Sequence, residues 1–158
     1  MKPVARTAER TVARTITHSA AALSAALAFS LLAGCASTTS MAEAPRARVV
    51  IQVSDNDPAK WNLALNVAAN VQKDLGADKS DVEIVAFGPG LGMLKADAVV
   101  ANRVIDAIGK KVQVAACGNT MAKTNVSKDD LTKDVVVVPA GAIEIMKRQG
   151  EGWAYLRP

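Results

Sequence analysis

The sequence predicts an α/β domain over residues 48–158, built on a mainly parallel sheet with helices on both faces. Short β-branched runs alternate with amphipathic stretches in the order βαβαβ(α)βαβ. Each run stops at Gly, Pro, Asp or Asn, as strands do where they turn into helices. The run Val135–Val138 is four consecutive valines, the pattern of a strand buried on both faces.

Arg48–Val53 reads as the first strand. Asp57 before Pro58 is a helix start, with a capping carboxylate followed by proline at the first helical position. Helix 59–75 then places Trp61, Ala64, Leu65, Ala68, Val71 and Leu75 on one stripe, and Gly76 stops it. Val82–Phe87 is the second strand and runs into the tight turn Gly88–Gly92. A helix over 96–108 turns Val100, Val104, Ile105 and Ile108 inward. Val112–Ala116 is the third strand, followed by a short helical or irregular piece after Cys117. Ser127 and Asp130 have the spacing of a capping box. Pro139-Ala140-Gly141 leads from the valine run into helix 142–149, and the chain ends on a strand at Trp153–Leu156.

The amino-terminal segment has a different character. Lys2, Arg6, Arg10 and Arg14 face a single acid, Glu9, ahead of an apolar run over 19–33. That is the arrangement of a secretory leader, and the run is shorter than the ~20 residues that span a bilayer. Leu32-Ala33-Gly34-Cys35 resembles a bacterial lipobox, which implies cleavage after residue 34 and acylation of Cys35. Ala36 is not the aspartate of inner-membrane retention, so the resemblance implies an outer-membrane anchor with the domain facing the periplasm. Residues 35–47 are expected to form a flexible lipidated tether.

Removing the leader's four bases and one acid from totals of 19 and 15 leaves 15 and 14, close to neutral. Nothing here asks for nucleic acid. The sole histidine, His18, lies in the leader. The remaining chain therefore has no Ser-His-Asp or Cys-His pair and no histidine metal site.

Candidate chemistry gathers at the carboxyl ends of the strands, where parallel sheets bind ligands. Cys117 ends the third strand, and with Cys35 acylated it has no disulfide partner. Gly118 lets a partner approach, and Asn119 and Thr120 carry donors suited to a thiolate. With no adjacent base, sulfur exchange suits this thiol better than hydrolysis. Asp55, Asn56, Gly88, Pro89 and Gly90 are expected to shape the same pocket. The Gly88–Gly92 spacing is G-x-G-x-G without the Lys-Ser/Thr of a phosphate loop. Asp55 and Asp57 open like a calcium loop, but Ala59 breaks the pattern. No metal and no cofactor are expected.

Four motifs in order, Phe87-Gly88-Pro89-Gly90, Ala116-Cys117-Gly118-Asn119-Thr120-Met121, Val138-Pro139-Ala140-Gly141 and Gly152–Pro158, resemble the DsrE/DsrF-like family, in particular its exported branch. The resemblance implies a five-stranded three-layer α/β/α fold and oligomers, often trimers or hexamers. Cytoplasmic sulfur-relay members carry persulfide sulfur on a cysteine just after the third strand, the place Cys117 holds here. On that footing the chain is expected to handle sulfane sulfur through Cys117, with donor and acceptor proteins unnamed. The rival expectation is a non-catalytic ligand-binding or assembly module, with Cys117 merely packed.

Overall fold

The computed structural model describes residues 45–158. The leader, Cys35, His18 and all of the tether before residue 45 lie outside the described residues. Five strands, β1 (Ala47–Val53), β2 (Ser80–Ala86), β3 (Gln113–Cys117), β4 (Val136–Val138) and β5 (Ala154–Leu156), form one sheet. Its order is β4-β3-β2-β1-β5, and every neighbouring pair is parallel. The helices are α1 (Pro58–Leu75), α2 (Ala101–Gly109), α3 (Gly118–Thr124) and α4 (Gly141–Gly150).

The order explains the layers. From β1 to β4 the chain steps across the sheet in one direction, and then α4 carries it back past three strands to β5. Right-handed crossovers put helices on one face for one direction and on the other face for the reverse. Accordingly, Trp61, Ala64, Leu65 and Ala68 of α1 and Val104 of α2 share a core with Val49, Ile51, Ile84, Val114 and Ala116. Ile145 of α4 packs on the opposite face with Val50, Val85, Ala115 and Val138.

α1 begins as its sequence requires. Asp57 Oδ1 accepts from the Ala59 N–H at 2.8 Å, with Pro58 in the first turn. Its last stripe residue, Leu75, lies exposed rather than buried. α2 starts at Ala101, later than the expected 96. The preceding segment is drawn into backbone pairing instead: Ala96 N–H donates to Asp130 O at 2.9 Å, and Thr132 N–H to Leu94 O at 2.8 Å. Ile105, expected inward, is 50% exposed; Val104 alone is fully buried within the helix.

The valine run departs most. β4 spans only Val136–Val138 and is an edge strand, so Val136 and Val137 are 45% and 39% exposed instead of buried on both faces. Ser127 and Asp130 do form the reciprocal-looking contact, with N–H and Oγ of Ser127 both 2.7 Å from Asp130 Oδ2. The backbone there bends and turns, and no helix follows. The Gly88–Gly92 turn is a 3₁₀ helix, Gly88–Leu94. No helix among the described residues is long and apolar enough to cross a membrane.

Candidate functional site

The buried run Val114-Ala115-Ala116 delivers Cys117 to the carboxyl edge of the sheet. Cys117 sits at the N-cap of α3, and buried Met121 pins that helix to the core. The thiol is only 5% exposed.

Three backbones close around it. A Cβ on Gly118 would lie 3.2 Å from Val138 O, so the β3–α3 corner rests on the exit of β4. The Asn119 N–H donates across that contact to Pro139 O at 3.1 Å. A Cβ on Gly141 would come within 3.0 Å of Phe87 Cβ and 3.3 Å of Cys117 Cβ. Only glycine lets the first turn of α4 press directly on the cysteine.

On the far side, the Gly88 N–H donates to Thr120 Oγ1 at 2.9 Å. That bond holds Thr120 in the first turn of α3, beside Cys117 at the helix N-cap. Burial is the largest single influence on the thiol and raises its pKa. The Thr120 hydroxyl and the backbone N–H groups of Gly141, Thr120 and Asn119 together outweigh burial and hold the thiol below its ordinary range. The Asn119 proton is already shared with Pro139 O, so Thr120 and Gly141 are the principal donors.

Beside this corner lies an open cavity of about 470 Å³ bordered by Phe87, Gly88, Pro89, Asn119, Thr120 and Lys123. Gly88, Pro89, Asn119 and Thr120 are thus brought together. Gly90 does not line the cavity. Its place is structural, since a Cβ there would fall 2.3 Å from Val53 O.

Asp55 and Asn56 do not line this cavity, although Asn56 Oδ1 lies against Gly92 of the same 3₁₀ turn. They follow β1, two strands from β3, which is about 10 Å across a sheet. Asp55 pairs with Lys60 at 3.2 Å and Arg157 at 3.4 Å, and its carbonyl accepts from Trp61 Nε1 at 2.7 Å. The Asp55 carboxyl is held below the usual range, chiefly by its hydrogen bond from Lys60. These contacts tie the β1–α1 loop to the carboxyl-terminal tail.

One polar cluster carried no warning in the sequence. Glu83 occurs in an apolar run and reads simply as part of the strand, yet it is fully buried beneath α4. Arg148 Nε reaches Glu83 Oε2 at 2.5 Å and Glu144 Oε1 at 3.1 Å. The same guanidinium meets Glu151 at 3.2 Å and lies 4.7 Å from the Trp153 ring centroid. Burial pushes the Glu83 carboxyl up, and Arg148 only partly offsets it. The spacing of Glu144, Arg148 and Glu151 hints at a helix-surface network, but nothing local links them to residue 83.

Comparison with known proteins adds the context. A family model described as the DsrE/DsrF-like family matches residues 47–158. A solved protein of unknown function from Methanobacterium thermoautotrophicum is 34% identical, with a TM-score of 0.68; the match covers 71% of this chain and 99% of that one. A conserved protein of unknown function from Bacteroides thetaiotaomicron is 14% identical, with a TM-score of 0.58 and coverage of 70% and 94%. The ychN protein from E. coli is 11% identical, with a TM-score of 0.58 and coverage of 72% and 99%. These last two speak to the fold alone. No curated protein matches.

Proposed function

We propose, since the chain belongs to the DsrE/DsrF-like family, that Cys117 takes up sulfane sulfur and passes it on as a persulfide. The observation that carries this is the place of Cys117, at the end of β3 and the N-cap of α3 next to the cavity that Thr120 and Asn119 border, and its surroundings hold the thiol below its ordinary range despite burial. The thiolate attacks a polysulfide sulfur, forming the Cys117 S–S bond as the polysulfide S–S bond breaks. The shortened polysulfide leaves with the electron pair. An acceptor thiolate then attacks the outer sulfur and releases the Cys117 thiolate. No cofactor enters either step.

In this reading Gly88 orients Thr120, and the cavity beside Pro89, Asn119 and Lys123 admits the sulfur chain. Cys35 anchors the exported protein, with the domain at the periplasmic face of the outer membrane. The chain works as a homo-oligomer, a trimer or hexamer. Exposed Ile143, Met146, Tyr155 and Leu156 are apolar surface suited to such contacts.

The near-complete burial of Cys117 favours one rival, a binding module in which the cavity holds a ligand and the thiol only packs. Intact mass after polysulfide treatment, with Cys117→Ser alongside, separates the two. A reductant-labile gain of sulfur confined to wild type supports the relay. Its absence supports the binding module.

A further inference from the structure

α4 touches two polar groups at its opposite ends, over the paired strands β2 and β3. Its first residue, Gly141, presses on Cys117, where a Cβ would come within 3.3 Å of the cysteine's own Cβ. Seven residues on, about 10 Å along the helix, Arg148 grips the buried Glu83. Between them the helix is held by Ile145, which packs on Val50, Val85, Ala115 and Val138. Gly141 and Ile145 are its buried residues, while Ile143 and Met146 face outward. Ala140 at its N-cap makes no side-chain capping bond. The strands on either side of it, β4 and β5, are three-residue edge strands.

The ionic cluster is also a poor stabiliser. Glu83 Oε1 and Trp153 Nε1 are buried without hydrogen-bond partners among the described residues. Burying a carboxylate this way costs much of what the ion pair returns. A tie of that kind fixes one geometry better than it adds stability.

We infer that Glu83 and Arg148 are positioning residues for Cys117: by anchoring the far end of α4 they hold its first turn against the cysteine. This rests on the reading of Cys117 as a working thiol. The charged groups near the pair are Glu144, Lys147 and Glu151. On the elements packed about the sulfur they are Lys123 of α3 and Glu144 and Lys147 of α4. The donors that lower the thiol are Thr120 and backbone N–H groups, with no charged side chain among them.

The test is the pH profile of Cys117 alkylation by iodoacetamide in wild type, Arg148→Met, Arg148→Lys and Glu83→Gln, each checked for native circular dichroism. Arg148→Met is expected to move the midpoint to higher pH while the alkaline plateau rate stays at the wild-type level. Arg148→Lys, which keeps the charge, returns the midpoint toward wild type, and Glu83→Gln gives a smaller upward shift. Should Arg148→Met not fold, Glu83→Gln and Arg148→Lys carry the test. An unchanged midpoint in every folded variant overturns the inference, and so does a changed plateau with an unchanged midpoint, which reports access alone. A sulfur adduct on wild type reads out the relay separately. Its loss sinks that reading, whereas unchanged midpoints with the adduct present sink only the positioning role.

Discussion

Thr120 Oγ1 accepts from Gly88 N–H at 2.9 Å, and its hydroxyl leads the influences that hold the Cys117 thiol low. Thr120→Val removes the donor and should move the alkylation midpoint of Cys117 upward, while Thr120→Ser should retain it; a midpoint common to both variants would assign the low thiol to the backbone alone. The sign of the linkage follows from the lowered folded pKa. Relative to Cys117→Ser, wild-type stability should rise with pH from the folded thiol pKa to the unfolded value near 8.5, and stay level above it. Urea midpoints across that window measure it. At this scale the sequence was informative about where Cys117, Asn119 and Thr120 fall, because an apolar run followed by glycine and small polar residues marks a strand turning into a helix. It was silent on Glu83 and Arg148, 65 residues apart in sequence. Their meeting depends on α4 crossing back over the sheet.

Elements were legible where local chemistry decided them. Asp57-Pro58 starts α1 as expected, and Asp57→Ala should cost about 1 kcal/mol in denaturant unfolding. Where distant backbone competed, local signals failed. Residues 96–100 have helical spacing, but Leu94–Ala96 pair with 130–132 and the next residues turn locally, so α2 begins late. Val136 and Val137 look like core and lie on an edge, since burial in a sheet depends on strand order as well as composition. The Gly90 corner is a sterically closed contact. Gly90→Ala must displace the end of β1 and should cost about 1–3 kcal/mol in thermal or urea unfolding; a neutral result would mean that the 3₁₀ turn yields freely.

Across the whole molecule, alternation of strands and helices foretold a parallel sheet, and the turns that follow β1 to β4 do fall at its carboxyl edge. Strand order was not legible, and it separates Asp55 and Asn56 from the thiol corner while bringing Gly88 and Thr120 together. The same topology places Glu83 under α4, where burial raises its carboxyl. A raised folded pKa favours the neutral form. The stability it contributes is present below the unfolded value near 4.3 and is lost as pH rises through the folded pKa. Glu83→Gln should flatten that fall in urea midpoints between acid and neutral pH, and Arg148→Met should steepen it.

The most direct measurement is the intact mass of the purified protein after brief polysulfide exposure. A gain of about 32 Da per sulfur on wild type, absent from Cys117→Ser and removed by reductant, is the result predicted for a thiolate that exchanges sulfur. An unmodified wild type whose thiol also resists alkylation across neutral and mildly alkaline pH would contradict it, and would leave Cys117 a packed side chain beside a binding cavity.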